Sequence, residues 1–368
     1  MVDSPATIYD VAERAGVSIA TVSRALNSLS SVRPSTRAKV MAAMEELEFV
    51  PNSVARGLSS GKHWILGLVF MRAPADGNVN DVEEASLLYT DIVVRGAETR
   101  AAERGYSLLL NSAYDSHPSG MSSLMNLTGT VDGLILLDRV LREDEVALLA
   151  RRISVVLLAG KGDSSAITTI RVDNEQAMRS LATHLVREHG ISRVGFVAGS
   201  EESPDSVARI TSFRSAVTEL GATFNDVDLL QSDWTSAGGE KAMQERLNLS
   251  DPLPEVFACA NDQTAVGVIY ALNAKGIRVP EDVAVTGFDD ITLTRYFSPP
   301  LTTIRQSGGV LGEIAVDALV ALVEGTDEPA RTIVLPTELV VRGSCGCSVE
   351  ADTRPSLANL THVQSRVG

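Results

Sequence analysis

The chain has 368 residues, 44% of them hydrophobic, which is enough for more than one packed core. Its formal net charge of −15 runs against a nucleic-acid partner for the chain as a whole, and no stretch stays apolar long enough to span a bilayer. Met1 to Pro5 carry neither a basic stretch nor an apolar run, so no secretory leader is expected and a cytoplasmic location is.

Thr7 to Asn27 read as two short helices joined by a glycine turn. Thr7 caps the first, Asp10 sits in its first turn, and Ile8, Val11, Ala12 and Ala15 share one inward face. Gly16 supplies the turn. Ser18 caps the second helix, where Val22, Ala25 and Leu26 point inward and leave Ile19, Ala20, Thr21, Ser23 and Arg24 outside. That outer set suits a DNA major groove. Arg24 offers a planar donor fork for guanine or phosphate, Thr21 and Ser23 offer hydroxyls, and Ile19 with Ala20 can meet thymine methyls. With Thr7, Tyr9, Ser18 and Asn27, these residues make up the candidate DNA-contacting set of a helix-turn-helix head. An ordinary helical hairpin with a solvated polar face is the competing reading.

A loop from Asn27 to Val32 leads to Pro34, which opens a third helix whose Val40, Met41, Met44, Leu47 and Phe49 close a small core. Pro51 and Asn52 then start a short helix running to Leu58. Alone it is marginal, because helices under roughly 12 to 15 residues are weak in water and Gly57 costs about 1 kcal/mol against alanine. DNA and a second copy of the chain would supply the missing contacts.

From Trp64 the texture changes to apolar runs alternating with amphipathic helices. Strands are expected at 65–70, 107–110, 131–137 and 153–158, then in a second series at 194–198, 227–230, 255–259 and 283–287. The pattern defines two successive doubly wound α/β units with parallel sheets.

Through Lys62 strongly, and in pattern to about Gly343, these residues resemble the LacI-type family of bacterial transcription regulators. The head is most similar to the catabolite-control branch. The resemblance implies an α/β protein with an all-α helix-turn-helix head at 1–50, a hinge helix and linker at 51–62, and a bilobal periplasmic-binding-protein-like core at 63–346. Its first lobe is expected at 63–160 plus 291–325 and its second at 161–290 plus 326–346. Asn52, Ala55 and Leu58 would then contact DNA, with Leu58 wedged into the minor groove at a central CpG step of a near-palindromic operator. A plain linker residue packing on the core is the other reading of Leu58. The resemblance further implies a homodimer, no membrane, and a small effector, a sugar or sugar derivative, held between the lobes.

Ligands of open α/β sheets sit beyond the carboxyl ends of the strands. Asn261 and Asp289 lie at such ends and Arg209 lies at the start of a helix that follows one; the resemblance assigns all three to the family's effector positions, and Trp234 to an aromatic that covers a sugar face. Their chemistry fits a polyol: a carboxylate accepts from hydroxyls, arginine donates, an amide does both. Phe70, Arg72 and Asp138 are the candidates on the opposite wall, beside an acidic insertion at 73–86. Each has a plain alternative, among them an Asp289–Arg209 ion pair, Asn261 as a helix cap and Trp234 as space filler.

The charge balance is local. Arg14, Arg24, Arg33, Arg37, Lys39, Arg56 and Lys62 roughly offset the acids of the head, leaving the negative excess to the core. Cys259 reads as a small core residue, and reduced, unpaired thiols are expected throughout. Cys345-Gly346-Cys347 has no second cysteine pair or histidine cluster beside it, so no metal site is expected. His184 and His189 stand five apart on one predicted helix, a spacing that does not bring two ligands to one face. Residues 347–368 lack heptads and are expected to be disordered, which favours a dimer over a tetramer. No phosphate loop, dinucleotide fingerprint or His-Glu-x-x-His motif is present, so neither a cofactor nor catalytic residues are expected. The rival readings are a sugar-processing enzyme and a solute-binding protein using the same cleft.

Overall fold

Thr7 starts the first helix by a reciprocal cap: its hydroxyl accepts from the Asp10 N–H at 3.4 Å while the Asp10 carboxylate accepts from the Thr7 N–H at 2.7 Å. The computed structural model describes residues 6–27, 32–49, 62–72, 88–114, 120–137, 140–160, 167–326 and 330–348. They fall into two units, Met1–Trp64 and Ile65–Gly368. In the first, α1 (Ile8–Ala15) ends at Gly16, whose φ of 66° is left-handed, and α2 (Ile19–Asn27) and α3 (Pro34–Glu46) follow. Val11, Ala12, Val22, Ala25, Val40 and Ala43 form the buried centre, with Ile8, Ala15, Leu26, Met44, Leu47 and Phe49 packed around it. Met41, expected in this core, is instead 48% exposed, because Val40 takes the inward position beside it. The hinge, with Asn52, Ala55 and Leu58, lies outside the described residues, as do the 73–86 insertion, Asp138 and the tail from 349.

The second unit holds the two expected parallel sheets. The first contains β1 (Ile65–Arg72), β2 (Ser107–Tyr114), β3 (Gly133–Leu137), β4 (Ser154–Leu158), β5 (Thr168–Val172) and β11 (Thr332–Leu335), in the order β11-β5-β4-β3-β1-β2. Its helices include α4 (Leu88–Glu103), α5 (Gly120–Leu127), α6 (Glu143–Ala150) and α11 (Gly308–Glu324). The second sheet is β7 (Thr223–Gln231), β6 (Arg193–Ala198), β8 (Val256–Cys259) and β9 (Ala284–Thr286), with α7 (Asn174–Thr183), α8 (Pro204–Glu219), α9 (Ser236–Leu247) and α10 (Asp262–Ala274). Bridges from Thr286 to Thr302 and from Asp289 to Arg305 lay β10 (Thr303–Gln306) along β9, and β12 (Thr337–Val340) pairs antiparallel with β10.

This topology moves the chain crossings. β5 and β11 pair with each other in the first sheet, so the crossings expected near Gly160 and Gly325 fall after Val172 and Leu335. The one expected near Asp290 falls after Gln306, since β10 still follows β9. Each lobe has its own apolar core, one around Leu134, Leu136 and Val155 and the other around Phe257, Val268 and Val285. Inside the second lobe Arg246 and Asp228, both buried, pair at 2.8 Å, and the remaining Arg246 donors reach the carbonyls of Asp251 and Pro252.

After Thr183 the helix widens into a π turn, His184–Glu188, whose i→i+5 bonding brings residues five apart onto one face. His184 and His189 therefore meet, with 3.2 Å between their Nε2 atoms, and Cys345 and Cys347 lie against them. The geometric premise for expecting no histidine partner near the Cys-x-Cys pair does not hold. All three cysteines are unbridged. Among the described residues, no helix is long and apolar enough to cross a membrane.

Candidate DNA-reading head and ligand cleft

Ser18 caps α2, its hydroxyl accepting from the Thr21 N–H at 3.2 Å and lying 2.9 Å from the Thr21 hydroxyl. Ser18, Ile19, Ala20 and Arg24 are exposed along this helix, and Thr21 and Ser23 are half-buried. Arg24 turns its Nε back to the Ala20 carbonyl at 3.2 Å, which leaves the other guanidinium nitrogens for an outside acceptor. Tyr9 is 68% exposed on α1, beside the Thr7 cap. Asn27 closes α2. The outer side of the helix thus carries apolar, hydroxyl and cationic groups, the kinds of group that base edges in a major groove accept.

In the core, Arg209 projects from α8 and is only 2% exposed. Its Nε donates to Asn174 Oδ1 at 2.9 Å, its Nη1 to the Ala260 carbonyl at 2.6 Å, and Nη2 lies 3.6 Å from Asp205. The guanidinium sits 3.5 Å from the Phe288 ring centroid and 5.7 Å from that of Trp234. Asn174 in turn donates to Asp205 at 2.7 Å. The arginine is held by backbone, amide, carboxylate and two rings, so its charge is aimed before any ligand arrives.

Asn261 does cap α10, accepting from the Thr264 N–H at 3.0 Å, and its Nδ2 donates to the Trp234 carbonyl at 2.9 Å. It therefore positions the tryptophan loop as well as the helix. The Trp234 ring is half-buried and lies over Gly199, where an added Cβ would stand 2.2 Å from the indole. Asp289 accepts from Gln306 at 2.5 Å, and no ion pair joins it to Arg209 among the described residues. Burial raises its pKa to about 7, with the Arg209 charge and the Gln306 hydrogen bond opposing the rise. Its neighbour Asp290 goes the other way. Against burial, hydrogen bonds from Arg342 at 2.5 Å and Arg305 at 2.7 Å hold Asp290 below the usual carboxylate range. Asp262, buried behind them, is raised by burial and by the Asp289 charge, and accepts from Thr303 at 2.5 Å.

Trp234, Asp289 and Asp290 have φ of 77°, 120° and 56°, a conformation that costs about 1–3 kcal/mol per non-glycine residue and gathers at functional sites. The structure so unites Arg209, Trp234, Asn261 and Asp289 on the second lobe. Phe70, half-buried, and Arg72 end β1 on the first lobe, where Arg72 is in register with Tyr114. Sequence reasoning missed Asn174, Asp205, Phe288 and Gln306. It also missed Tyr89, at the start of α4 on the first lobe, whose hydroxyl is raised by burial and by the charges of Asp289 and Asp205. Gln263, which accepts from the Leu88 N–H at 2.8 Å, was missed too. Phe288 was the most legible of these, standing beside Asp289 at the strand end.

A small groove-reading head, joined to a two-lobed core with a polar cleft, is the plan of a ligand-controlled DNA-binding regulator. The comparisons agree. The family described as "Bacterial regulatory proteins, lacI family" matches residues 7–52, and "Periplasmic binding protein-like domain" matches 182–345. Catabolite control protein A of Priestia megaterium is 31% identical over 341 residues, covering 92% of this chain and 98% of its own. The HTH-type transcriptional repressor PurR of Photobacterium profundum is 30% identical with the same coverage. A lac repressor dimer bound to operator and the anti-inducer ONPF superposes with a TM-score of 0.75 at 28% identity, covering 93% of this chain and 99% of that one. The transcriptional regulator CelR in complex with cellobiose gives 0.68 at 28% identity, covering 92% and 99%. The chain belongs to the LacI family: it is a DNA-binding transcriptional repressor with an effector-binding core.

Proposed function

We propose that the effector is a small carbohydrate-like molecule held between the lobes and bound without turnover. Arg209, Asn261 and Asp289 meet its hydroxyls, and Trp234 covers an apolar ring face. The observation that carries the reading is the pairing, in one buried spot, of a fixed guanidinium, a buried carboxyl group and two aromatic rings. Sugars offer that combination of hydroxyl donors and apolar CH faces. The CelR–cellobiose complex, similar over 92% of this chain, supports the same class. Phe70, Arg72 and Asp138 form the opposing wall in this reading, and Tyr89 joins them.

The regulator acts as a homodimer on a near-palindromic operator, a reading supported by the dimeric lac repressor–operator complex. The head residues Thr7, Tyr9, Ser18, Ile19, Ala20, Thr21, Ser23, Arg24 and Asn27 contact DNA, with Asn52, Ala55 and Leu58 in the hinge. Effector changes the relative setting of the lobes and thereby the hinge pairing. A coupling of about 1–3 kcal/mol changes operator affinity roughly 5- to 150-fold.

A thermal-shift screen of the full chain against sugars and sugar phosphates tests the ligand class. A true effector at 100 times its Kd adds about 2.7 kcal/mol of stability. A positive compound must then shift operator affinity and be recovered unchanged after incubation. Recovery of a converted product would make the cleft an active site instead.

A further inference from the structure

The Nε2 atoms of His184 and His189 are 3.2 Å apart, and both histidines face thiols. Cys345 Sγ is 3.5 Å from His184 Nε2, and Cys347 Sγ is 3.8 Å from His184 Nε2 and 3.3 Å from His189 Nε2. All four ligand atoms lie within 4.8 Å of one another. Two separate local devices converge here. The π turn after α7 aligns histidines five residues apart, and Gly346, at a φ of 98°, turns the chain so that the thiols on either side of it face them.

We propose that these four side chains bind one zinc ion in a closed, structural Cys2His2 site. Tetrahedral zinc, with Zn–S near 2.3 Å and Zn–N near 2.0–2.1 Å, places two nitrogens about 3.3 Å apart and a nitrogen and a sulfur about 3.6 Å apart. The observed N–N separation of 3.2 Å and N–S separations of 3.3, 3.5 and 3.8 Å straddle those values. Two imidazoles and two thiolates in this arrangement select zinc over the harder magnesium or calcium. Loading balances simply: Zn²⁺ displaces one proton from each thiol, and the two thiolates neutralise the ion, with both histidines neutral. Four protein ligands leave no open position, so the role is structural. Cys345 is held in turn by the Thr302 hydroxyl at 3.1 Å. The ion would fasten the segment after β12 to the far end of the helix whose first residue, Asn174, holds Arg209.

The test uses the full chain carrying no metal-affinity tag. Zinc analysis is expected to find about one ion per chain, with about two protons released per zinc added to chelator-treated protein. Titration with Co²⁺ is expected to give the visible bands of a tetrahedral ion and a thiolate charge-transfer band. Cys347→Ser and His189→Gln should each weaken Co²⁺ binding at least tenfold and remove the rise in melting temperature that zinc gives the parent. Co²⁺ spectra of an octahedral or sulfur-free site, undiminished binding when both substitutions are combined, or a Cys345–Cys347 disulfide in freshly isolated protein would each overturn the proposal. The parent's cobalt spectrum reports the ligand set directly and decides the matter even where a variant fails to fold.

Discussion

The N–H of Leu88, at the first turn of α4, donates to Oε1 of Gln263 in the first turn of α10 at 2.8 Å, joining the two lobes at the cleft. The bond spans 175 residues of sequence and ties one lobe to the other in this setting. Gln263→Ala leaves the Leu88 donor without that acceptor. The expected loss is about 1 kcal/mol, or roughly fivefold in the affinity of a ligand that favours this setting. Calorimetric titration of parent and variant checks it; equal affinities would show that the ligand-bound setting does not use the bond.

Asp289 is expected to make ligand binding in the cleft pH-dependent. Its folded pKa of about 7 stands above the ordinary 3.8, so the folded chain holds this proton more tightly than the unfolded chain does. Its contribution to stability is complete below about pH 3.8 and is lost as the pH rises through about 7. A ligand whose hydroxyls donate to this oxygen favours the ionised form, so binding tightens as pH climbs from about 6 to about 8. Asp289→Asn removes that slope. Calorimetry in buffers of different ionisation enthalpy should find proton release on binding by the parent near neutral pH and none by the variant. A flat parent profile would take Asp289 out of contact with the ligand.

The seat of Trp234 gives a steric test. An alanine methyl at Gly199 would stand 2.2 Å from Cε2 of the indole, so Gly199→Ala must push the ring out of place. If the ring covers a sugar face, its displacement costs about 1–3 kcal/mol of binding, on the order of 5- to 150-fold in Kd. Unchanged melting temperature with reduced affinity would separate ligand contact from simple space filling. Unchanged affinity would assign the ring to packing alone.

What could be read from the sequence divides along physical lines. β1, β3, β4, β6 and β8 are apolar runs buried on both faces, and the alternation of such runs with helices exposes a parallel architecture. β5, β10, β11 and β12 span only four or five residues, each begins with threonine, and β5, β10 and β12 carry a charged residue inside; their omission misplaced the crossings. In the cleft, Asn261 and Asp289 follow strands and Arg209 lies early in a helix, and it was their match to the family's effector positions that made them legible. Asn174, Tyr89 and Gln263 acquire their meaning from partners distant in sequence, which no local pattern records. The π turn at His184 was hidden for a related reason: a helix of ordinary pitch sends residues five apart to different faces, and nothing in the local residues announces the wider turn.

Arg246 and Asp228 offer a stability test away from both functional regions. The pair is buried, with side chains 0% and 3% exposed, and the guanidinium also satisfies two carbonyls. Arg246→Ala strands a carboxylate without water, so about 3–5 kcal/mol of stability should go, read as a lowered denaturation midpoint. The double replacement with Asp228→Ala should recover part of that loss, because the stranded charge goes with it. No recovery would mean that the packing and carbonyl bonds of Arg246, rather than charge balance, hold this corner.

A substitution at Arg24 tests whether DNA reading separates from ligand control. Its free guanidinium nitrogens project from α2 while its Nε is held by the Ala20 carbonyl, so the side chain is part-ordered before it meets a base or phosphate. A bidentate contact to guanine is worth about 1–3 kcal/mol of discrimination, whereas a phosphate contact weakens all duplexes alike and reduces the salt dependence. Arg24→Ala should therefore lower affinity for the operator far more than for random DNA while leaving ligand affinity at the parent value. Competition titrations at several salt concentrations decide it. An equal loss on both DNAs, with a shallower salt slope, would reassign Arg24 from a base edge to the backbone.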